Sequence, residues 1–235
     1  MNAQVVTVAS RVPAEPYYRF DLFIESLARF AETPTVLGMN GTWQGLMTKP
    51  YLLREWLRNG HNTSDRLIVC DAFDIIFAKH PHGIGDRCAE WFGDAVVFNG
   101  EKGCWPREDL RDCFPDDGSP WRFLNSGFMC GPASQILALL NAMDIESIGF
   151  DPPGGPYPND QGEYQALFAK QPVEMVVDTQ CRLAQTLSAC DLSEFDLSGD
   201  EITNKIAGSA PGVFHFNGGA KEICGPAFYG RLALG

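Results

Sequence analysis

The chain has 235 residues, 45% of them hydrophobic and 20% charged, the composition of a soluble globular protein able to bury a sizeable core. Its formal net charge of −12 repels nucleic acid at long range, so any nucleic-acid partner needs a local basic patch. No segment approaches the roughly 20 apolar residues of a membrane span, and the N-terminus lacks the basic start and apolar run of a signal peptide, so a cytoplasmic location is expected.

Val5–Ala9 is the first expected strand, followed by a polar loop with two prolines. From Tyr17 to Ala31 apolar residues recur at helical spacing (Phe20, Phe23, Ile24, Leu27, Phe30), which predicts an amphipathic helix. Thr35–Leu37 reads as a short strand, and the Gly-rich loop Gly38–Gly45 carries Trp43. Lys49–Leu57 is a second helix stopped by Asn59-Gly60. Leu67, Ile68 and Val69 form a short, β-branched apolar run that predicts a buried strand. That strand ends in two carboxylates, Asp71 and Asp74, before Ile75, Ile76 and Phe77 resume the apolar pattern.

His82–Phe92 is the third helix and Ala95–Phe98 the next strand, with a loop over Asn99–Pro106. Trp121–Phe123 and Gly127–Met129 read as two strand pieces around Leu124-Asn125-Ser126. Ala133–Met143 is a helix, Pro152–Pro158 a Pro/Gly-rich loop, and Gln161–Ala169 a helix with Asp160 suited to its N-cap. Val173–Val177 is a strand, 191–209 a polar surface excursion, and Val213–Phe216 a last strand running into Asn217-Gly218-Gly219. Strands alternating with helices predict an α/β domain with a mostly parallel sheet. No composition break is long enough for a linker, so residues 1–235 are expected to form one domain. None of the eight cysteines is spaced as Cys-x-x-Cys, which argues against a zinc ribbon. Free thiols are expected for most of them, with Cys104–Cys113 and Cys181–Cys190 left open as bridges.

Polar and aromatic residues gather just after the expected strands: Asp71 and Asp74, Glu101 and Trp105, Asn125 and Ser126, Asp160 and Gln161, His215 and Asn217. Each has a bland reading alone, as core, turn or cap. Together they occupy the edge of an α/β sheet where ligands bind. Paired carboxylates there suit a hard divalent cation, and such a cation grips phosphate. An imidazole completes a ligand set for a manganese-type ion. Asp71, Asp74 and His215 would half-fill an octahedron and leave positions for phosphate oxygens and water.

Asp71-Ala-Phe-Asp74-Ile-Ile-Phe, Glu101-Lys-Gly-Cys-Trp105-Pro, Phe123-Leu-Asn-Ser-Gly127-Phe, Asp160-Gln161, Cys181-Arg-Leu-Ala-Gln185-Thr-Leu and His215-Phe-Asn217-Gly218-Gly-Ala-Lys221 occur in this order. Taken together they resemble the glycosyltransferase domain of the procollagen lysyl hydroxylases, over nearly the whole chain. The resemblance implies a GT-A fold, a Rossmann-like mixed sheet with helices on both faces, which binds a UDP-sugar with Mn2+, or Mg2+ in its place. By position it implies Asp71, Asp74 and His215 as metal ligands and Trp43 as the residue stacking on uracil. It places Lys49 near the nucleotide and Phe73 in the aromatic slot between the metal acids. Asn217, Gly218 and Lys221 match the loop that closes on the diphosphate. Glu101, Trp105, Asn125, Asp160 and Gln161, with Ser126 beside them, fall on the sugar and acceptor side.

The chemistry of these residue types agrees. The UDP leaving group gains negative charge, which a cation, Lys221 and loop amides stabilise. The sugar carbon becomes oxocarbenium-like, and a carboxylate stabilises it or orients the acceptor hydroxyl; Asp160 is the first choice for that role and Glu101 the second. The chain departs from the family in having Pro158-Asn159 before Asp160 in place of a run of acids. No His-x-Asp…His iron-oxygenase pattern is present, so the chain reads as a stand-alone transferase. UDP-glucose or UDP-galactose is the expected donor. The acceptor is either a hydroxylysine-like protein side chain or a hydroxymethylated pyrimidine of DNA, as in phage-type hypermodification. Two other classes stay open: a Mg2+-dependent phosphohydrolase, since strand-end acids also serve there as nucleophile and acid, and a non-catalytic sugar-nucleotide binder.

Overall fold

A computed structural model describes residues 3–10, 19–148 and 159–232. The expected two-proline loop, the start of the first helix at Tyr17 and the stretch 152–158 lie outside those residues. The elements run β1 (Ala3–Val8), α1 (Phe20–Ala28), β2 (Thr35–Leu37), α2 (Thr48–Arg58), β3 (Arg66–Cys70), β4 (Ile75–Phe77), α3 (Pro81–Phe92) and β5 (Val96–Glu101). They continue with β6 (Phe123–Pro132), α4 (Ala133–Ala142), α5 (Ile145–Ile148), α6 (Asp160–Lys170), β7 (Met175–Asp178) and β8 (Ala184–Thr186). The last are β9 (Phe195–Asp196), β10 (Thr203–Asn204), β11 (Val213–His215), α7 (Ala220–Ile223) and α8 (Gly225–Arg231).

Six strands form the main sheet in the order β2-β1-β3-β6-β5-β7. β1 is parallel to β2 and β3, and β5 to β7, whereas β6 is antiparallel to both its neighbours. The sheet is therefore mixed, as a GT-A fold requires, and less parallel than the alternation of elements suggests. The remaining strands run one way and bring their carboxyl ends to one edge. β6 brings its amino end to that edge, which carries Asn125 and Ser126 there.

Neighbouring residues along a strand point to opposite faces, and here each face has its own core. Val6, Leu67, Val96 and Met129 pack with α2, α4 and α6 through Leu53, Ile136 and Leu167. Val5, Ile68, Val97 and Cys130 pack with α1 and α3 through Phe23, Leu27 and Ile84. Each such fully buried side chain contributes about 1.5–3 kcal/mol of transfer free energy. Fully buried apolar strands are what sheets covered on both faces require. A second sheet, β4-β11-β8, joins β4 to β11 antiparallel and β11 to β8 parallel. A third cluster, including Ile76, Phe214, Phe216 and Phe228, packs around it.

Several expectations shift. The two expected pieces around Leu124-Asn125-Ser126 are one ten-residue strand, β6. A register shift between Phe98 and Asn99 on β5 interrupts its ladder, so polar residues sit inside a strand instead of a turn. β5 extends three residues beyond Phe98, to Glu101. The N-cap of α6 is Asn159, whose side chain accepts from the backbone N–H groups of Gln161 and Gly162; Asp160 is the first helical residue and is freed to point elsewhere. Residues 191–209 are not only a surface excursion, because Phe195, Ile202 and Asn204 are buried and Asn204 Nδ2 donates to Gln185 Oε1 at 2.6 Å. All eight cysteines are free thiols, so neither open bridge forms. No helix among the described residues is long and apolar enough to cross a membrane.

The approach of β5 to the segment before β6 depends on Gly100, where a Cβ would lie 2.1 Å from the Trp121 carbonyl oxygen. A backbone atom cannot step aside as a flexible side chain would. Gly100→Ala is therefore expected to lower the unfolding free energy by about 1–3 kcal/mol, read as a lower urea midpoint at unchanged slope; an unaltered midpoint would contradict the close approach.

Candidate active site

The edge of the main sheet opens into a cleft of about 440 Å3 whose lining includes Lys49, Asp71, Asp74, Glu101, Asp160 and His215. That volume lies within the ~300–1,000 Å3 usual for small-molecule sites. Asp71 follows β3 directly, and its N–H donates to the Gly127 carbonyl at 2.9 Å. Asp74 immediately precedes β4. β11 pairs with β4, setting His215 opposite Ile75, and Phe216 N–H donates to the Asp74 carbonyl at 2.8 Å. Acid and histidine are thus tied through a strand ladder although 141 positions separate them in the chain.

Each aspartate divides its two oxygens between a lysine and the histidine. Asp71 Oδ1 accepts from Lys49 Nζ at 2.7 Å, and Asp71 Oδ2 lies 3.8 Å from His215 Nε2. Asp74 Oδ2 pairs with Lys221 Nζ at 2.8 Å, and Asp74 Oδ1 lies 3.5 Å from the same Nε2. The inward ligand atoms of the three residues lie within 4.8 Å of one another. Two carboxylate oxygens and one imidazole nitrogen converging this way fit a divalent cation of the manganese or magnesium type. His215 is buried, and its ring lies where a Cβ on residue 127 would sit, 2.1 Å from Cε1. Only glycine at 127 admits the ring there.

Lys49, at the start of α2, also reaches Asp160 Oδ2 at 2.8 Å. Burial lowers the pKa of its ammonium, but the Asp160 and Asp71 charges more than reverse this, so the cation is held firmly. Burial pushes the Asp160 carboxyl up, with Lys49 opposing. Burial also pushes Asp74 up, and the His215 and Lys221 charges and hydrogen bonds overcome it, holding that carboxyl well below the usual range.

Glu101 ends β5 and is the centre of a second network. Its Oε1 accepts from Gln161 Nε2 at 2.6 Å, and its Oε2 from Asn125 Nδ2 at 3.2 Å and Asn217 Nδ2 at 3.1 Å. Burial raises its pKa from an ordinary 4.5 to about 7, with those amide hydrogen bonds opposing. The break in the β5–β6 ladder frees backbone groups that side chains then satisfy. Ser126 N–H donates to Gln161 Oε1 at 3.1 Å and Gly127 N–H to Asn125 Oδ1 at 2.9 Å. Irregular ladders of this kind re-aim side chains beside active sites. Asn217 spans the cleft, since its Oδ1 accepts from Ser188 N–H at 3.0 Å. Gly218 beside it takes φ +59°, a left-handed conformation that suits glycine.

The structure gathers Lys49, Asp71, Asp74, Glu101, Trp105, Asn125, Ser126, Asp160, Gln161, His215, Asn217 and Gly218 in the cleft lining. Lys221 reaches it through Asp74. Trp105 is 59% exposed, while its carbonyl accepts from the side chains of Gln161 and Gln165. Phe73 packs its ring on Phe20, with centroids 6.0 Å apart, and does not line the cleft. Trp43 is 41% exposed on the loop between β2 and α2, also away from the cleft lining. That loop turns through Gly38, Asn40 and Gly45, all at positive φ. Ser188 lines the cleft without having been singled out from sequence. Ser188 follows a strand, the same topological signal as the other site residues, but β8 is only three residues long and escapes a periodicity reading.

The PLOD GT domain family model matches residues 1–225. The Drosophila melanogaster procollagen-lysine,2-oxoglutarate 5-dioxygenase is 30% identical over 236 residues, covering 93% of this chain and 31% of that protein. The human multifunctional procollagen lysine hydroxylase and glycosyltransferase LH3 is 27% identical over 233 residues, covering 92% and 30%. The chain thus spans less than a third of the length of these relatives. Among solved structures, a glycosyltransferase involved in the glycosylation of the major capsid of PBCV-1 superposes with a TM-score of 0.55 at 10% identity, covering 96% of this chain and 98% of that one; this is a likeness of fold. Matched by one family model over all but its last ten residues, the chain belongs to the PLOD GT domain family and is a glycosyltransferase.

Proposed function

We propose that the chain transfers a hexose, with glucose the first candidate, from a UDP-sugar to a hydroxyl group in a Mn2+-dependent reaction. The observation that carries this reading is the division of oxygens at Asp71 and Asp74, one to a lysine and one toward His215 Nε2. Asp71, Asp74 and His215 would hold the cation. A cation bound there supplies charge neutralisation to the departing diphosphate.

Lys49 lets Asp71 and Asp160 share the cleft floor by balancing their charges. Asp160 stabilises the electron-poor sugar carbon or orients the acceptor hydroxyl. Glu101, Asn125, Ser126 and Gln161 form the sugar-facing network. Asn217, Gly218 and Lys221 sit on the diphosphate side, where Asn217 links that loop to Glu101. Trp43, exposed on the loop that brings Leu46 to the cleft, offers an indole face for stacking on uracil.

A hydroxylysine-like protein side chain is the favoured acceptor, because the relatives named above are procollagen-lysine enzymes and the net charge of −12 disfavours DNA. A hydroxymethylated pyrimidine in DNA remains a second reading, favoured by the exposed Trp105 ring at the cleft. Aromatic faces stack on bases without sequence preference. Labelled UDP-glucose incubated with a hydroxylysyl peptide or with hydroxymethylated DNA decides between them, and label in neither would reject both.

Asp74→Ala or His215→Ala is expected to cut metal-dependent turnover of the UDP-sugar by about 100-fold or more while leaving the circular dichroism spectrum unchanged. Wild-type turnover in either variant would remove that residue from the metal site. Asp160→Asn is expected to lose transfer by about 100-fold or more and still bind UDP in calorimetry; lost UDP affinity would place Asp160 on the donor side instead.

Glu101 predicts a pH signature. Its folded pKa of about 7 lies above its ordinary 4.5, so the folded state holds this proton more tightly than the unfolded chain. The resulting stability is full below about 4.5 and is lost as pH rises through 7. Measured against Glu101→Gln, wild-type stability should rise by on the order of 2–3 kcal/mol between pH 8 and pH 4.5, and a flat difference in unfolding free energy would refute the raised pKa.

A further inference from the structure

Outside the cleft, the turn after α1 and the start of α3 bring one carboxylate and two imidazoles together: Glu32, His80 and His82. The backbone fixes all three. In the turn after α1, Ala31 takes φ 57°, and the N–H groups of Ala31 and Glu32 donate to Ala28 and Leu27 carbonyls at 3.0 and 3.1 Å. This is the pairing of a Schellman motif, and it pins Glu32 just past the helix. At the other side, His80 is the N-cap of α3, extended at ψ 129°, with Pro81 in the first helical turn. Within a helix, residues two apart do not face each other. The extended His80 escapes that rule, and its ring lies 4.8 Å from that of His82, centroid to centroid. The Phe30 ring packs on His80 at 5.6 Å.

Both imidazoles turn Nε2 toward one carboxylate oxygen. Glu32 Oε1 is 3.2 Å from His82 Nε2 and 3.9 Å from His80 Nε2. Simple charge pairing accounts for one ring and not for both, because two imidazolium rings 4.8 Å apart repel. Two neutral imidazoles and a carboxylate aimed at a common point instead match the donor set of a borderline divalent cation, with a position left for water. All three side chains are partly exposed, so a cation can enter from solvent. His80 Nδ1 accepts the His82 N–H at 3.2 Å; ligation through Nε2 puts the proton on Nδ1 and gives up that long bond for a metal–nitrogen bond.

We propose that Glu32, His80 and His82 form a second metal site, selective for a zinc-type cation and separate from the transferase cleft, which none of the three lines. The donor sets differ as the two chemistries demand: two carboxylates and one imidazole in the cleft suit a hard ion, whereas one carboxylate and two imidazoles suit zinc. The site joins the end of α1 to the start of α3, two helices that pack on the same face of the main sheet. Metal bound there stabilises the native state by mass action and clamps the two helices to each other.

The test is a Zn2+ titration of wild-type, His82→Ala and Glu32→Gln protein by isothermal calorimetry, with thermal unfolding followed with and without Zn2+. Wild type is expected to take one more zinc equivalent per chain than either variant. In Asp74→Ala protein, whose cleft site is broken, a zinc equivalent should remain. Adding His82→Ala to that protein should weaken the remaining equivalent by about 10-fold or more and remove the zinc-induced rise in melting temperature. Equal stoichiometry and equal thermal shifts across wild type and both single variants would overturn the proposal. The result is independent of whether UDP-sugars are turned over, so failure of the transferase reading and failure of this one are told apart.

Discussion

The Lys49 ammonium between Asp71 and Asp160 is the interaction on which the cleft depends. Asp71, Asp74, Glu101 and Asp160 all open onto one space walled by buried strands. Buried like charges cannot remain together uncompensated. Lys49 answers for two of them at 2.7 and 2.8 Å, and Lys221 for a third. Glu101 has no lysine partner and is met by three side-chain amides instead, which is why its proton is held near neutrality while that of Asp74 is not. Asp74, Glu101 and Asp160 are thus graded by their surroundings, and groups whose environments push their pKa values apart can take different roles in one reaction.

The two sheets divide the labour of building this arrangement. The main sheet supplies Asp71, Glu101, Asn125 and Ser126, and the small sheet fixes His215 against Asp74. Three apolar clusters hold the sheets and their helices in place, and the site needs the second and third because β4 and β11 contribute to both. Packing far from the cleft therefore sets the distance between an acid and a histidine within it.

Much of this was readable from the residues alone, for definite reasons. Leu67-Ile68-Val69 announced a buried strand, so the position of Asp71 at its end followed, and His215 followed in the same way from Val213 and Phe214. Asn125-Ser126-Gly127 misled because polar residues followed by glycine have the chemistry of a turn, while the break in the β5–β6 ladder is a tertiary feature. Asn159 and Asp160 are both good caps, and only coordinates distinguish them. The partnership of Lys49 with Asp160 and the meeting of Glu32 with His80 and His82 join residues far apart in the chain. Spacing carries no trace of either. α7 and α8 are short, below the length at which helical periodicity can be read.

The reversed direction of β6 has a further consequence. Its first residues form part of the cleft wall, and the residues that follow run straight into the core of the main sheet. A parallel strand in that place would have delivered a connecting loop to the cleft; this one delivers ladder backbone continuous with the fold's interior. One side of the cleft is accordingly as stiff as the sheet, while the opposite side rests on the turn through Ser188 and on the turn Asn217–Gly219 that leads into α7. Among the described residues, change of substrate preference by loop exchange is open on that second side and at the Gly103–Trp105 segment after β5. On the first, a new preference has to come from individual side chains on an unaltered strand.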